Sequence, residues 1–255
     1  MTAFRDFGDI DRLLSTTKAV RRRLDLARPV PREVITDCIR LACYAPNASN
    51  AQDWHWVVVD DPDQRHRVGE QYRKLLEPPV SQMLASKQQM GDVAGARISE
   101  SILFLAARMA EVPVLVIPCF DVTAAEARYK QLIPDPGLAQ AAVSGTHAMT
   151  PGMYASILPA VWSFQLALRS RGLGSALTTA HQGDEPAMAE ILGIPLTWAQ
   201  VALIPVAYTT GGDFTPSPRK PVEDVIVWNR LEGGDDDDDG GDVAGAGAGV
   251  DEGRR

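Results

Sequence analysis

The chain has 255 residues, 45% of them hydrophobic and 23% charged, with a formal net charge of −8. These values are typical of a globular protein, and the length suits one large domain or two small ones. No apolar run reaches the roughly 18 residues that a membrane-spanning helix needs, so we expect no membrane partner. The N-terminal residues mix acids and bases without the apolar core of a signal peptide, which predicts a cytoplasmic location.

Most of the negative charge lies near the C-terminus. Residues 233–255 hold seven Asp and one Glu against two Arg, a net charge of −6, which leaves about −2 for residues 1–232. This Gly- and Asp-rich tail has too little apolar content to offset the entropy of ordering. We therefore predict one folded domain over 1–232 and a disordered, solvated tail over 233–255, with no nucleic-acid partner.

The first predicted elements are two helices and a strand. A short helix covers residues 9–16, and Pro31 begins a second helix at a position where its missing N–H costs nothing. One face of this second helix is apolar and should pack on the core: Val34, Ile35, Cys38, Ile39 and Ala42. The aromatic and β-branched run WHWVVV predicts a strand over 54–60.

The next stretch predicts helices around a central strand. A helix begins at Asp61-Pro62, and the pair Pro78-Pro79 is expected to end it near residue 76. A helix over 96–109 leads into the apolar strand at 112–120. Residues 121–151 then form a long connection, in which we expect some helix and a mobile cover over a binding site.

The second half predicts a long amphipathic helix over 154–171, with Gly172 as its C-terminal cap. Asp184 caps a short helix, residues 199–208 form a third strand, and residues 222–228 form a last short strand or an extended arm. Helices and strands alternate without regular βαβ spacing. The pattern therefore favours an α+β fold with a small central sheet.

The usual catalytic signatures are missing. The sequence has no nucleophile elbow, no Walker-type phosphate loop and no third glycine after Gly172 and Gly174 to complete a dinucleotide-binding fingerprint. The four histidines stand apart at no metal-ligand spacing, and only His181 is kept as a candidate site residue. Three cysteines in apolar surroundings indicate reduced core residues. We predict no metal and no dedicated side-chain nucleophile.

Two segments are candidates for ligand binding. The loop after the second helix crowds amides and a hydroxyl into one turn, through Asn47, Ser49, Asn50 and Gln52. Such side chains also shape turns by bonding their own backbone, so a well-made turn and a ligand-facing loop both remain open. In the basic stretch, Lys18 and Arg21 are three residues apart, and two such charge-assisted bonds can anchor a phosphate.

Four motifs in chain order carry a resemblance to a known family. They are TTKAVR, APNASNAQDW, SILPAVWSFQLALRSRGLGSALTT and a late Arg219 before Pro221. Together they resemble the nitroreductase family of FMN-dependent oxidoreductases, in a variant similar to an actinobacterial subgroup. The family usually has Arg-Arg-Ser where this chain has Thr17-Lys18-Ala19, Pro where it has Asp53, and Gln-Asn where it has Trp162-Ser163.

The resemblance implies a cofactor site and a homodimer. Lys18, Arg21 and Arg219 are expected to hold the FMN phosphate and the N1/O2 edge of the ring, together with the neighbouring Thr17 and Ala19. The isoalloxazine ring is expected to be lined by Pro46, Asn47, Asn50 and Gln52, often from the partner subunit, and the backbone of Thr178, Thr179 and Ala180 should lie beside N5 and O4. The family fold is a mainly antiparallel sheet wrapped by helices, in an intertwined homodimer with the flavin at the interface.

The implied activity is a ping-pong reaction. NADPH or NADH gives hydride to flavin N5, and a nitroaromatic or quinone acceptor then takes the electrons, so that the flavin supplies the chemistry. Two alternatives remain open. The same fold and cofactor also serve enone reduction, dehalogenation and flavin cleavage, and a flavin-sequestering protein without turnover needs the same binding residues.

Overall fold

The computed structural model describes residues 8–132, 135 and 149–229. Within these ranges, helices surround a small antiparallel sheet, which confirms the predicted α+β class. The helices are α1 (Gly8–Thr16), α2 (Arg32–Ala42), α3 (Pro62–Gln89), α4 (Val93–Arg108), α5 (Val122–Leu132), α6 (Met149–Arg169) and α7 (Glu185–Leu192). The strands are β1 (Trp54–Val59), β2 (Val114–Asp121), β3 (Leu173–Ser175), β4 (Trp198–Gln200) and β5 (Ile204–Tyr208).

The sheet is built around β2. Its strand order is β1-β2-β5-β3, and β4 also pairs with β2 beside β5. All of these pairings are antiparallel, with Trp54 opposite Phe120 and Val116 opposite Ile204. Seven of the eight β2 residues are buried, as expected of the apolar central strand that the sequence predicts.

Successive β2 side chains point to opposite faces of the sheet and enter two separate cores. Val116 and Phe120 join the core formed with α2 and α6, where Phe164 packs 5.3 Å from the Trp56 ring, centroid to centroid. Leu115 and Ile117 join the second core, formed with α3, α4 and α7. The strand therefore holds two helical layers together through one alternating sequence.

The junction between α6 and β3 depends on two glycines. Gly172 has a φ of +76°, the left-handed conformation that ends a helix at little cost, as predicted. A Cβ on Gly174 would lie 2.7 Å from Thr209 Cγ2 and 3.0 Å from Val20 Cβ. Gly174 is therefore the residue that lets neighbouring chain segments approach β3 closely.

Several predicted boundaries are wrong. Helix α3 does not end before Pro78-Pro79 but continues through both prolines to Gln89, because it packs along α4 and buries Val80 beyond them. Tertiary packing thus outweighs the lost backbone hydrogen bonds. The strand predicted over 199–208 is two strands, β4 and β5. The short strand β3 was not predicted, and helix α6 begins earlier than expected.

Other details agree with the sequence. The Asp184 side chain accepts a hydrogen bond from Ala187 N at 3.3 Å and caps α7. Cys38, Cys43 and Cys119 are free thiols. Burial raises the pKa of Cys119 to about 12, so that this thiol stays protonated. No helix in the described ranges is both long and apolar enough to cross a bilayer.

The chain divides into two compact units, residues 1–217 and 218–255. In the described part of the second unit, residues 222–228 form no strand and pair with no other strand, and a single 3₁₀ turn at Val222–Asp224 lies there; the alternative of an extended arm stays a prediction. The predicted tail over 233–255 and about half of the predicted cover lie outside the described residues, although α5 supplies the helix expected after residue 121. The predicted domain boundary at residue 232 therefore stays a prediction.

Candidate functional site

The basic segment, residues 17–23, lies along the edge of the sheet beside β3. Val20 N donates to Ser175 O at 2.8 Å, and Ala19 forms a parallel bridge with the same residue. At its other end Arg23 O accepts from Thr210 N at 2.9 Å. These main-chain bonds fix a run of cationic side chains against a sheet edge, whereas a solvated charge run has no such attachment.

Three cations of this segment, Lys18, Arg21 and Arg23, have no carboxylate partner within the described ranges, and the Arg23 side chain instead bonds main-chain oxygens. Arg21 is half-buried, and loss of solvent lowers the pKa of its guanidinium, an effect partly offset by Tyr72. Lys18 Nζ lies 5.9 Å from the centroid of the Phe214 ring. Partly buried cations without counter-charges are costly unless a ligand supplies the anion.

Tyr72 links the basic segment to the predicted flavin-edge residues. It projects from α3 with 2% of its surface exposed, and its hydroxyl interacts with the Thr178 side chain and, electrostatically, with Arg21. Burial raises the pKa of its phenol, and Thr178 and Arg21 partly offset the rise. Tyr72 is therefore influenced both by Arg21 of the basic segment and by Thr178 at the predicted flavin edge. Sequence reasoning missed Tyr72, although it follows Val68 by one helical turn on the buried face of α3.

Residues 178–180 begin a tight turn at the end of the sheet. Thr178 exchanges both main-chain hydrogen bonds with Leu203, at 3.1 and 2.8 Å, and its hydroxyl also donates to Leu203 O at 3.1 Å. A 3₁₀ helix, Ala180–Asp184, follows directly. Its first N–H groups have no intrahelical acceptor, and Thr179 beside them is exposed to solvent.

His181 closes this turn from inside. Its side chain is fully buried, and neither ring nitrogen has a hydrogen-bond partner among the described residues. Burial lowers the pKa of its imidazole to about 4, because the charged form loses its water shell. His181 is therefore neutral at physiological pH and lies beneath the turn at residues 178–180 as a packing residue.

The predicted ligand loop, residues 46–52, is an ordered turn. Ser49, Asn50 and Gln52 have φ of 53°, 50° and 56°, which places three non-glycine residues in the left-handed region. Asn47 Oδ1 accepts from Gln52 N at 3.0 Å, and the Gln52 amide reaches the carbonyl and side-chain oxygens of Asn50 at 3.4 Å. Both sequence interpretations survive: the amides shape the turn, and Pro46, Asn50 and Gln52 remain exposed.

Asp53, which directly follows that loop, anchors it. Its carboxylate forms a two-pronged ion pair with Arg128 of α5, and one of the bonds measures 2.9 Å. The Asp53 side chain is only 9% exposed and that of Arg128 23%. On the loop's other side, Ala48 N donates to Ser156 Oγ of α6 at 3.2 Å. The role of Arg128 could not be recognised from the sequence, because its partner Asp53 lies 75 positions away in the chain.

One chain does not bring the loop and the basic segment together. The loop contacts Ser156 near the beginning of α6, whereas Phe214, beneath Lys18, contacts Arg169 at its end. These two points on the helix are about 20 Å apart at 1.5 Å per residue. Arg219 belongs to the second unit, where its guanidinium donates to Pro218 O at 2.9 Å.

Comparison with known proteins gives a family match. The model of the nitroreductase family matches residues 16–208. Rat iodotyrosine deiodinase 1 is 26% identical over 216 residues, which are 84% of this chain and 67% of that protein. The chain spans about two thirds or less of the length of the curated relatives it matches.

Solved structures show the same fold. A nitroreductase-like protein from Streptococcus mutans superposes with a TM-score of 0.60 at 19% identity, covering 88% of this chain and 100% of that one. An iodotyrosine deiodinase bound to FMN and 3-iodo-L-tyrosine superposes with a TM-score of 0.57 at 20% identity, covering 86% and 98%.

Proposed function

This chain belongs to the nitroreductase family, and we propose that it is an FMN-dependent oxidoreductase that takes hydride from NADPH or NADH and reduces nitroaromatic or quinone acceptors. The observation that carries the proposal is the half-buried Arg21, which lacks a carboxylate partner in the described ranges and interacts electrostatically with Tyr72, the tyrosine that also interacts with Thr178. FMN supplies the hydride chemistry, so no side-chain nucleophile is needed.

The residues present fit the phosphate end of FMN. Lys18 offers an ammonium that has no carboxylate partner among the described residues, and we propose that Arg219 supplies a second charge. The Thr17 hydroxyl already donates to Leu13 O at 2.6 Å, and Ala19 has no hydroxyl to offer. Phosphate binding in this chain therefore relies on charge more than on hydroxyl groups.

Arg21 fits the N1/O2 edge of the ring. A guanidinium about 4 Å from a negative charge stabilises it by up to roughly 4 kcal/mol at an effective dielectric of 20, and by less where water screens the pair. We propose that Arg21 stabilises negative charge that develops at this edge, while the backbone at 178–180 positions the opposite edge.

We propose that the loop at residues 46–52 serves the cofactor of a second copy of the chain. Its attachment to the beginning of α6 supports this arrangement, because Lys18 lies toward the other end of the same helix. Pro46, Asn47, Asn50 and Gln52 then line the ring from the partner subunit. The functional unit is a homodimer with a small-molecule acceptor bound over the flavin.

An absorbance spectrum of the purified protein, followed by anaerobic NADPH, tests the proposal. We expect the visible absorbance band of oxidised flavin, which should bleach when NADPH reduces the flavin and return when a nitroaromatic or quinone is added. A band that NADPH and NADH leave unchanged favours a flavin-sequestering protein. Absence of flavin binding after incubation with FMN overturns the functional proposal.

Reductive dehalogenation is the second candidate, because the matched curated relatives are iodotyrosine deiodinases. In that reaction two electrons and a proton replace a carbon–iodine bond by carbon–hydrogen and release iodide. Iodide release from 3-iodo-L-tyrosine, with dithionite or NADPH as reductant, separates the candidates. Release that is faster than nitroaromatic reduction favours the dehalogenase.

A further inference from the structure

Three cationic side chains converge on one aromatic ring at the end of helix α6. The centroid of the Phe214 ring lies 4.0 Å from Arg23 Cζ, 4.9 Å from Arg169 Cζ and 5.9 Å from Lys18 Nζ. A ring face attracts one cation well, but three like charges around one ring also repel each other. The cluster therefore has more positive charge than a structural cation–π contact requires.

The charge of this cluster is not neutralised by protein within the described residues. Asp213, next to Phe214 in sequence, pairs with Arg12. Arg23 is committed to the main chain, where its Nε donates to Thr210 O at 2.7 Å and its Nη2 donates to Gly212 O. Lys18 and Arg169 have no ion pair in the described ranges, so that a local excess of positive charge remains.

Arg169 is the member whose role needs explanation. Its Nε is buried and has no hydrogen-bond partner among the described residues. Its backbone is fixed, since it ends α6 one turn after Gln165, whose Nε2 donates to Ser175 Oγ at 3.1 Å. A guanidinium held in place with an unused N–H is suited to a bidentate anion.

We propose that Arg169 and Lys18 bind a phosphate monoester, with Phe214 and Arg23 as the floor of the site. This inference rests on the proposed flavin function and deepens it. Family members usually have an arginine at the position of Thr17, and we infer that Arg169 supplies that positive charge in this chain. The same charge compensates for the hydroxyl group that is missing at Ala19. Two ligands carry this chemistry: the phosphate of FMN and the 2′-phosphate of NADPH.

Titration of the apoprotein with FMN and with riboflavin, followed by flavin fluorescence, provides the main test. Arg169→Ala should weaken FMN binding by about 10- to 100-fold and leave riboflavin binding unchanged, because only FMN has the phosphate. Arg171→Ala is the matched control, because it removes a guanidinium only two residues away in the sequence. The Arg171 side chain is exposed and bonds Ala167 O and Ser170 Oγ. The FMN affinity of Arg171→Ala should stay within about twofold of the wild-type value.

A second measurement identifies the source of the phosphate. If Arg169→Ala leaves FMN binding intact but raises KM for NADPH by about 10-fold or more relative to NADH, the site takes the 2′-phosphate. Thermal melting of the flavin-free protein with inorganic phosphate against chloride at equal ionic strength gives a cofactor-independent readout. If the wild-type protein binds no flavin, the proposed flavin function is wrong. The phosphate-dependent change in melting temperature then tests the anion site independently.

The proposal is overturned if Arg169→Ala matches the Arg171→Ala protein in FMN affinity, in the NADPH/NADH ratio and in phosphate-dependent melting. Circular dichroism checks that the variants fold. Should Arg169→Ala unfold, Arg169→Lys and Lys18→Met replace it. Arg169→Lys keeps the charge, so its loss of FMN binding free energy should be about half of the loss expected for Arg169→Ala. Lys18→Met should weaken the binding of FMN and leave the binding of riboflavin unchanged.

Discussion

The loop at residues 46–52, together with Asp53 that anchors it, and the basic segment at residues 17–23 differ in whether their charges are neutralised. In the loop, the carboxylate of Asp53 is almost buried and is neutralised by Arg128 through two bonds. In the basic segment, Lys18 and Arg21 are partly buried without a carboxylate partner in the described ranges.

This difference separates charge used for folding from charge left available for a ligand. A buried pair fixes geometry because each partner depends on the other for stabilisation. A cation without a carboxylate partner is stabilised by an anionic ligand when that ligand binds. Perturbation of the loop should therefore appear first in stability, and perturbation of the basic segment should appear first in binding.

The largest effect is expected at the neutralised pair. Asp53→Asn should lower the free energy of unfolding by about 3–5 kcal/mol, because Arg128 stays desolvated while its attraction to the carboxylate is lost. Urea denaturation measures the loss. Asp37→Asn, which breaks an exposed pair with Arg40, is the control and should change stability by less than about 1 kcal/mol. Equal effects of the two substitutions contradict the distinction.

His181 adds a third treatment of charge, since burial keeps it neutral. Its folded pKa of about 4 is below the ordinary value of 6.5, so the unfolded chain binds more protons between these values. Stability should be full above pH 6.5 and fall by about 3 kcal/mol as the pH drops to 4. Urea midpoints across this range should depend less on pH in His181→Leu, whereas exposed His66→Gln should keep the wild-type slope. A His181→Leu slope equal to wild type rules the assignment out.

In the basic segment, Arg21→Met should weaken FMN binding by about 1.5–3 kcal/mol, or roughly 10- to 100-fold. It should also lower the reduction potential of the bound flavin, because the cation favours the more negative reduced form. Fluorescence titration and redox titration measure the two effects. Arg22→Met, at an exposed arginine 3.6 Å from Glu100, is the matched control. If Arg21→Met lowers the free energy of unfolding but leaves FMN affinity unchanged, Arg21 stabilises the fold and does not bind the cofactor.

The smallest effect is expected from Ala19→Ser, which restores a hydroxyl beside Lys18. FMN binding should become tighter by about 0.5–1.5 kcal/mol, while the melting temperature stays unchanged because residue 19 is exposed. Isothermal titration calorimetry measures the gain. Ala27→Ser, another exposed alanine nearby, should bind FMN as the wild type does. No gain at residue 19 would mean that the phosphate does not approach this position.

Much of the fold was predictable because local patterns and packing agree. The α+β class, the buried central strand and the Asp184 cap all follow from periodicity and capping chemistry. The course of α3 through Pro78-Pro79 was not predictable, since the stabilising contacts come from α4. The three-residue strand β3 was also missed, because GLGS has the composition of a turn and forms a strand only through its pairing with β5.

The candidate site divides in the same way. Lys18, Arg21 and the turn after Gly174 stand out in the sequence because charge and glycine spacing are local signals. Tyr72, Arg128 and Arg169 do not stand out, since each gains its role from a residue far away in the chain. A tyrosine in an apolar helical face predicts core packing, and only the fold shows that its hydroxyl interacts with Thr178 and lies within the electrostatic influence of Arg21.

The left-handed residues of the loop have a consequence for how this family should be compared. Ser49 and Gln52 adopt a backbone that costs an ordinary residue about 1–2 kcal/mol, and glycine would relieve that cost. The hydrogen bonds of Asn47 and Gln52 hold the turn without any cofactor. Selection for folding alone can therefore preserve this amide-rich signature, even in a descendant that has lost flavin. For judging whether a distant relative keeps the cofactor, the cations at residues 18 and 21, which have no carboxylate partner in the described ranges, are the better markers.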